Sequence, residues 1–309
     1  MINKRIIVDN ASSEHMFLTE YIMQVFPEAR YETLYGAIIR NDIRLNYNHL
    51  EDDVFIANGD IIDFDLHFFQ LGVVPVLDIL YEDENFIAIE KMPGIPSFDE
   101  EKNGEINVYD MVLEYMLQKG ECNIEALIVP YLCYAIPKEA GGIILIAKNE
   151  HAFEFIDEGL RQMKVFLHYE AIVNGKFKKR TDEIQHYMNN HFKIFSKPSP
   201  TASSIITRYR VIKELGTFSL IEVSPVTMRK FQVYAHLAHI GYPVLGDDHF
   251  GNRKLNNKLF LDYDNIWLRK ITFSVGKNSQ YFYMDGCSIQ MDEVYYPTFI
   301  TQQKTKGTI

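Results

Sequence analysis

The stretch GGIILIAKNEHAFEFI, Gly141 to Ile156, decides what kind of fold this chain adopts. Four apolar residues in a row, Ile143 to Ile146, are too few for a helix and mostly β-branched, so they read as a short strand buried on both faces. Gly141 and Gly142 break the chain ahead of it. Ala147-Lys148-Asn149 closes it, and from Ala152 to Leu160 the apolar residues recur at helical spacing. One step upstream lies YAIPKEA, Tyr134 to Ala140. A glycine-rich turn before a buried strand is a usual place to present a functional side chain. The residue at that approach is Pro137, which has no ionisable atom and no side-chain donor or acceptor.

Working outward toward the carboxy terminus, the pattern predicts strands over 166–174, 205–213, 218–224, 270–275 and 281–284, interrupted by a helix over 229–240. The polar, basic segment 176–204 reads as a surface loop or an inserted hairpin. Toward the amino terminus, ILYEDENFIAIEKM predicts a hairpin around Asp83-Glu84-Asn85, and 108–117 a helix capped by Asn107 and stopped by Gly120. Residues 15–66 form a smaller pattern of two short helices followed by strands that turn at Asn46, Asn48 and Asn58-Gly59-Asp60. HFFQLGVVPV, residues 67–76, reads as a connector. The expected organisation is a small α/β domain over 1–70, a linker over 71–76, a larger α+β domain over 77–295 and a tail over 296–309.

The composition, 47% hydrophobic and 24% charged, is that of a globular chain, and no apolar run approaches the ~20 residues that span a bilayer. The amino terminus lacks a signal-peptide pattern, so a cytoplasmic protein with no membrane partner is expected. Cys122, Cys133 and Cys287 form no CxxC pair, which argues against a disulfide framework or a zinc ribbon. The net charge of −11 is unevenly placed: residues 1–160 hold 10 basic and 30 acidic side chains, whereas 161–309 hold 21 and 12. In the basic half Lys178, Lys179, Arg180 and their neighbours are interleaved with aromatics, a mixture suited to phosphates and bases as well as to a solvated face over core aromatics.

Four segments, ILYEDENFIAIEKMPGIPS (79–97), GGIILIAKNEHAFEFI (141–156), HYEAIVNGKF (168–177) and AHLAHIGYPVLGDDHFG (235–251), occur in an order and spacing that resemble the RluA-type RNA pseudouridine synthases. Residues 15–66 are similar to the S-four-like RNA-binding domain that often precedes that catalytic domain, although residues 1–66 carry 12 acidic against 5 basic side chains. The resemblance implies a pseudouridine synthase fold, a mixed or antiparallel bent sheet around a central cleft. It also implies structured RNA, ribosomal or transfer, as partner, one uridine flipped into the cleft, and no metal or cofactor.

In that family an aspartate in a His-Arg-Leu-Asp turn carries the chemistry, an arginine from a later helix holds it ionised, and a tyrosine of a Lys-x-Tyr-x-Ala strand stacks on the base. Aligned backward from Ala147-Lys148-Asn149 without a gap, Tyr134, Ala135, Ile136 and Pro137 occupy the His, Arg, Leu and Asp positions. The arginine position is Tyr234, within Met228 to Leu237, where Arg229 also falls. Both members of the ion pair are missing together, which is coherent because the arginine alone would be a buried unpaired charge. Tyr169 keeps the stacking position, and Tyr169, Tyr134, Tyr234, Arg229, Lys91, Lys178, Lys179 and Arg180 are the residues expected to contact RNA.

The fallback carboxylates are Glu139 and Asp99, the latter beyond the Lys91-Met92-Pro93-Gly94 turn; a glutamate two residues from Pro137 would start ~6–7 Å away in an extended chain. His236, His239 and His249 lack the spacing of a metal site, and Asp247 and Asp248 read as turn residues. Three functions follow: an RNA-binding homologue without isomerase activity, an active synthase with a displaced carboxylate, and a protein-interaction module without RNA affinity. A ribosomal or assembly-factor protein is a further expected partner of the first.

Overall fold

A computed structural model describes residues 3–8, 16–26, 29, 31–39, 43–65, 77–98, 107–122 and 128–292. Asp99, the expected linker 71–76 and the tail 296–309 lie outside them. The chain divides into two units, residues 1–77 and 78–309. In the first, β1 (Asn3–Ile7), β5 (Ile61–Asp65) and β3 (Ile43–Leu45) form an antiparallel sheet in that order, and β2 (Met16–Phe17) pairs with β4 (Phe55–Ile56). Helices Leu18–Val25 and Tyr31–Ile39 contribute Leu18, Ile22, Leu34 and Ile38 to a core shared with Ile43, Ile62 and Phe64. The turn at Asn46 is fixed by its side chain, which accepts from the Ile61 amide at 2.9 Å and donates to Asp60 at 2.8 Å. This is how asparagine stabilises a left-handed turn residue.

The second unit is built on one mixed sheet. Its strands are β6 (Ile79–Glu82), β7 (Phe86–Lys91), β8 (Tyr131–Leu132), β9 (Gly141–Ala147), β10 (Val165–Asn174), β11 (Thr181–Asn189), β12 (Ile194–Phe195), β13 (Ala202–Leu215), β14 (Phe218–Pro225), β15 (Ile266–Phe273) and β16 (Ser288–Gln290). The order is 12-11-13-14-10-15-9-7-6, with β16 on β15 and β8 on β9. All pairings are antiparallel except β15 with β9. Every residue of β9 is buried, as its unbroken apolar run requires. Irregularities at His168/Tyr169 and Val211/Lys213 interrupt the ladders, features that bend and twist a sheet.

Several expectations need correction. Gly141 and Gly142 do not precede the strand; they belong to it. A Cβ on Gly141 would lie 2.3 Å from the Trp267 ring, and Gly142, at φ 130°, would place one 2.3 Å from the Leu268 amide nitrogen. The glycines thus permit the parallel approach of β15. Residues 281–284 are not a strand: Phe282–Met284 is a 3-10 turn, set up by Ser279 Oγ accepting from the Tyr281 amide at 3.1 Å. The helix expected over 229–240 is only Gln232–His239, because Phe231 sits in the left-handed region at φ 59°. Segment 176–204 is the hairpin alternative, and it supplies one edge of the sheet. Helix Arg253–Leu259, capped by Asn252, had no clear sequence signal. Helices Val108–Gln118 and Glu150–Arg161 begin at Asn107 and Asn149, whose side chains accept from Asp110 and Ala152 amides. Among the described residues no helix is long and apolar enough to cross a membrane.

Candidate functional site

The turn containing Pro137 is held by the protein's own groups from several directions. Ser97 Oγ donates to the Ile136 carbonyl at 2.9 Å and accepts from the Ile136 amide at 3.1 Å. The Ala140 amide closes the turn onto the Pro137 carbonyl at 3.1 Å, the Gly94 amide bonds the Lys138 carbonyl at 2.6 Å, and the Asp264 amide bonds the Glu139 carbonyl at 3.0 Å. Lys91, 1% exposed, donates to the carbonyls of Ala140 (2.6 Å), Lys138 (3.2 Å) and Met92 (3.2 Å). Burial brings its pKa down to about 7, against the fields of Glu139 and Asp264, which favour the charged form. Lys91, expected to contact RNA, is instead a buried clamp on these carbonyls, because its ammonium is enclosed and bonded to all three.

Tyr134, Tyr169 and Tyr234 are brought together behind this turn. The Tyr134 hydroxyl donates to the Ile143 carbonyl at 3.0 Å. Tyr169 packs against the cluster that holds Ala140, Tyr234, Val233 and Ile266. Burial raises the phenol pKa of all three, and Tyr169 adds to the rise at both Tyr134 and Tyr234. Tyr234, 5% exposed, has a hydroxyl with no partner in hydrogen-bonding geometry, yet Asp264 adds to its raised pKa. Their contact is accordingly electrostatic, its geometry short of a formed hydrogen bond.

Asp264 is the carboxyl that the sequence did not single out. Burial takes it up to about 7; Asp247 adds to the rise and Tyr234 opposes it. It stands just ahead of β15, where an aspartate reads as an ordinary turn residue. The parallel pairing of Trp267 with Gly141 and Leu268 with Gly142, with the Asp264 amide bonded to the Glu139 carbonyl, sets residue 264 against the 137–140 turn. The site thus offers phenols and a carboxyl whose pKa is pushed up to about 7, where the resemblance implies a carboxylate and a guanidinium. Those groups can stack and exchange hydrogen bonds.

The other candidates go elsewhere. Glu139 is exposed and joins the site only through its field on Lys91 and Asp264. Arg229 is tied to the Met188 carbonyl at 2.6 Å and Asn190 at 2.8 Å, anchoring the approach to helix Gln232–His239. Lys178, Lys179 and Arg180 are exposed on the connection into β11; Lys179 pairs with Asp182 at 3.0 Å and Arg180 bonds the Val211 carbonyl at 3.2 Å. Fully buried His236 bonds His186 (2.8 Å) and Thr207 (2.9 Å), and burial first, then His186, lowers it to about 3. That is a neutral structural histidine. Among the described residues no group of three or more His, Cys, Asp or Glu is arranged to hold a metal. Asp247 accepts from the His249 and Phe250 amides, a turn role, while its Oδ2 is buried without a partner.

Comparison with known proteins places this geometry in context. A family model described as RNA pseudouridylate synthase matches residues 85–239. The chain is 27% identical over 239 residues to a ribosomal large subunit pseudouridine synthase D of Borreliella burgdorferi, covering 74% of this chain and 72% of the relative. It is 26% identical over 278 residues to a synthase C of Rickettsia typhi, covering 81% and 88%. Among solved structures, human RNA Pseudouridylate Synthase Domain Containing 4 superposes with a TM-score of 0.52 at 20% identity over 67% of this chain and 90% of that one. The fold is the α+β pseudouridine synthase fold.

Proposed function

The chain belongs to the RNA pseudouridylate synthase family, and from that premise we propose that it binds structured RNA without isomerising uridine. The observation that carries this reading is the Pro137 turn. At the nucleophile's position stands a residue without an ionisable atom, in a turn fixed by Ser97 and Lys91, with the buried phenol of Tyr234 at the partner's position. Covalent or elimination chemistry at the ribose has no carboxylate to start from. Asp264 does not replace it: its carboxyl is buried, pushed up to about 7 and set against the Tyr234 phenol, with no arginine among the causes of its shift.

Tyr169, with Tyr134 and Tyr234 behind it, forms a stacking platform for an extruded base, and Lys178, Lys179 and Arg180 supply phosphate contacts. The relatives' names support large-subunit ribosomal RNA as the class of target, and the protein is read as working in the cytoplasm. Residues 1–70 are an S-four-like domain. Its surface nonetheless suits a basic protein partner, ribosomal or assembly-related: Phe17 and Phe55 stack at 4.2 Å while both are exposed, close in sequence to Glu20, Glu51, Asp52 and Asp53.

The test is tritium release from 5-tritiated uridine in ribosomal RNA. No release is expected from the purified protein. Turnover that Asp264→Asn or Glu139→Gln abolishes would overturn the inactive reading and name the substitute carboxylate.

A further inference from the structure

The sheet face turned away from helix Gln232–His239 carries a groove that the tyrosine site does not use. Along β13, Tyr209 and Val211 enter the cluster with Val233, Tyr234 and Leu237, so the alternating Arg208 and Arg210 project from the opposite face. A cavity of about 260 Å³ opens there at the end of helix Glu150–Arg161, lined by Arg208, Ser224 and His168 on the sheet and by Phe166, Met163 and Met228. Arg208 is in register with Ser224, and His168 with Lys270. His168 Nδ1 lies 3.0 Å from Ser224 Oγ, and its Nε2 lies 2.9 Å from Thr272 Oγ1. Four neighbouring strands thus present Arg208, Ser224, His168 and Lys270 as one transverse row, roughly 14 Å long at ~4.8 Å per strand.

The adjoining row neutralises itself: Arg210 bonds Glu222 at 2.8 Å and Arg269 pairs with Glu170 at 3.4 Å. In the first row the Arg208–Glu183 contact, 2.6 Å, uses the arginine's Nε. The fork of terminal nitrogens is the part a phosphate engages bidentately. Met163 follows the helix in the left-handed region at φ 54°, a position that favours glycine, and is 49% exposed. An unfavourable backbone is accepted there by a long thioether at the cavity's mouth, the kind of local strain found at binding sites.

We infer that this groove binds one nucleotide unit of a single-stranded RNA segment, its phosphate on the Arg208 row and its base against Phe166, Met163 and Met228. The volume, just below the ~300 Å³ at which pockets for drug-sized ligands begin, suits one base with its phosphate. A base also offers N–H donors to the Glu222 carboxylate in the wall, whereas an acidic peptide side chain would bring only acceptors. The inference rests on the RNA-binding reading but concerns a different face of the sheet.

The test is photocrosslinking of the full-length protein to a single-stranded oligonucleotide bearing 4-thiouridine, with peptide mapping and affinity measured in parallel. Adducts are expected within 160–168 or 224–228 in addition to those at the tyrosine cluster. Met163→Gly relaxes the backbone while removing the wall. It is expected to abolish the groove adducts and weaken binding about fivefold, near 1 kcal/mol, with the melting temperature unchanged or raised and the cluster adducts retained. Arg208→Gln should act alike. Adducts confined to the tyrosine cluster and indifferent to both changes would overturn the groove and leave RNA binding standing. Displacement of the oligonucleotide from the groove by poly-glutamate at equal concentration would also overturn it, showing a site for anions of any kind. No adduct anywhere would overturn both.

Discussion

Two ionisable residues beside the Pro137 turn have been pushed to about 7 from opposite directions, and they make separable signatures. Asp264 rises from the ordinary carboxyl range because it is buried. Between about pH 4 and 7 the folded state therefore holds a proton that the unfolded chain has lost, so this group's contribution to stability falls as pH climbs through that window and is flat above it. Lys91 falls from the ordinary lysine range by burial, so its contribution rises with pH between about 7 and 10. Asp264→Asn is expected to raise the melting temperature by about 5 °C or more at pH 8 and to change it little at pH 4.5. Equal shifts at both pH values in thermal melts would deny that Asp264 is buried near neutrality. Tyr169 bears the binding prediction at this scale: base stacking contributes roughly 1–3 kcal/mol, so Tyr169→Ala should weaken RNA binding by about tenfold. Since Tyr169 also packs on the core cluster, some loss of stability is expected as well. A loss of stability with affinity unaltered in the folded fraction would reduce the residue to a core aromatic.

At the scale of elements, what the sequence made legible was whatever is written locally. The apolar run Ile143–Ile146 could only be a buried strand, and Asn107 and Asn149 announce their helices because an N-cap acts within one turn. The motif register also singled out Tyr134, Tyr169 and Tyr234, which the fold gathers near the Pro137 turn. Asp264 stayed hidden because its burial arises from strands more than a hundred residues apart in sequence, and helix Gln232–His239 was overdrawn because nothing in a phenylalanine marks a left-handed residue. In the basic stretch Arg208, Arg210 and Lys179 each pair with a carboxylate of the same sheet. Exposed pairs of this kind contribute little to stability and can exchange partners. Replacing Lys178, Lys179 and Arg180 together by alanine is thus expected to flatten the dependence of log affinity on log salt by up to about 2, at ~0.7–0.9 per phosphate. A titration in which neither salt nor these changes matter would favour a protein partner over RNA.

Across the whole molecule the charge follows the division into units. Residues 1–77 hold 5 basic and 12 acidic side chains, net −7, which leaves −4 for 78–309. Each unit has a core of its own, the first around Leu18, Ile22, Leu34 and Phe64 and the second on the mixed sheet. The net charge of −7 on the first unit repels a polyanion. Deleting residues 1–77 is therefore expected to leave a folded 78–309 fragment that binds structured RNA no more weakly than the full chain, within about threefold, with the advantage of the fragment largest at low salt, where screening is least. The same deletion should abolish capture of a basic protein partner, because the exposed Phe17–Phe55 pair and its acidic neighbours go with it. Fluorescence anisotropy at two salt concentrations separates the alternatives. A tenfold or greater loss of RNA affinity on deletion would mean that the acidic unit, despite its charge, makes direct RNA contacts, and the division of labour between the two units would have to be abandoned.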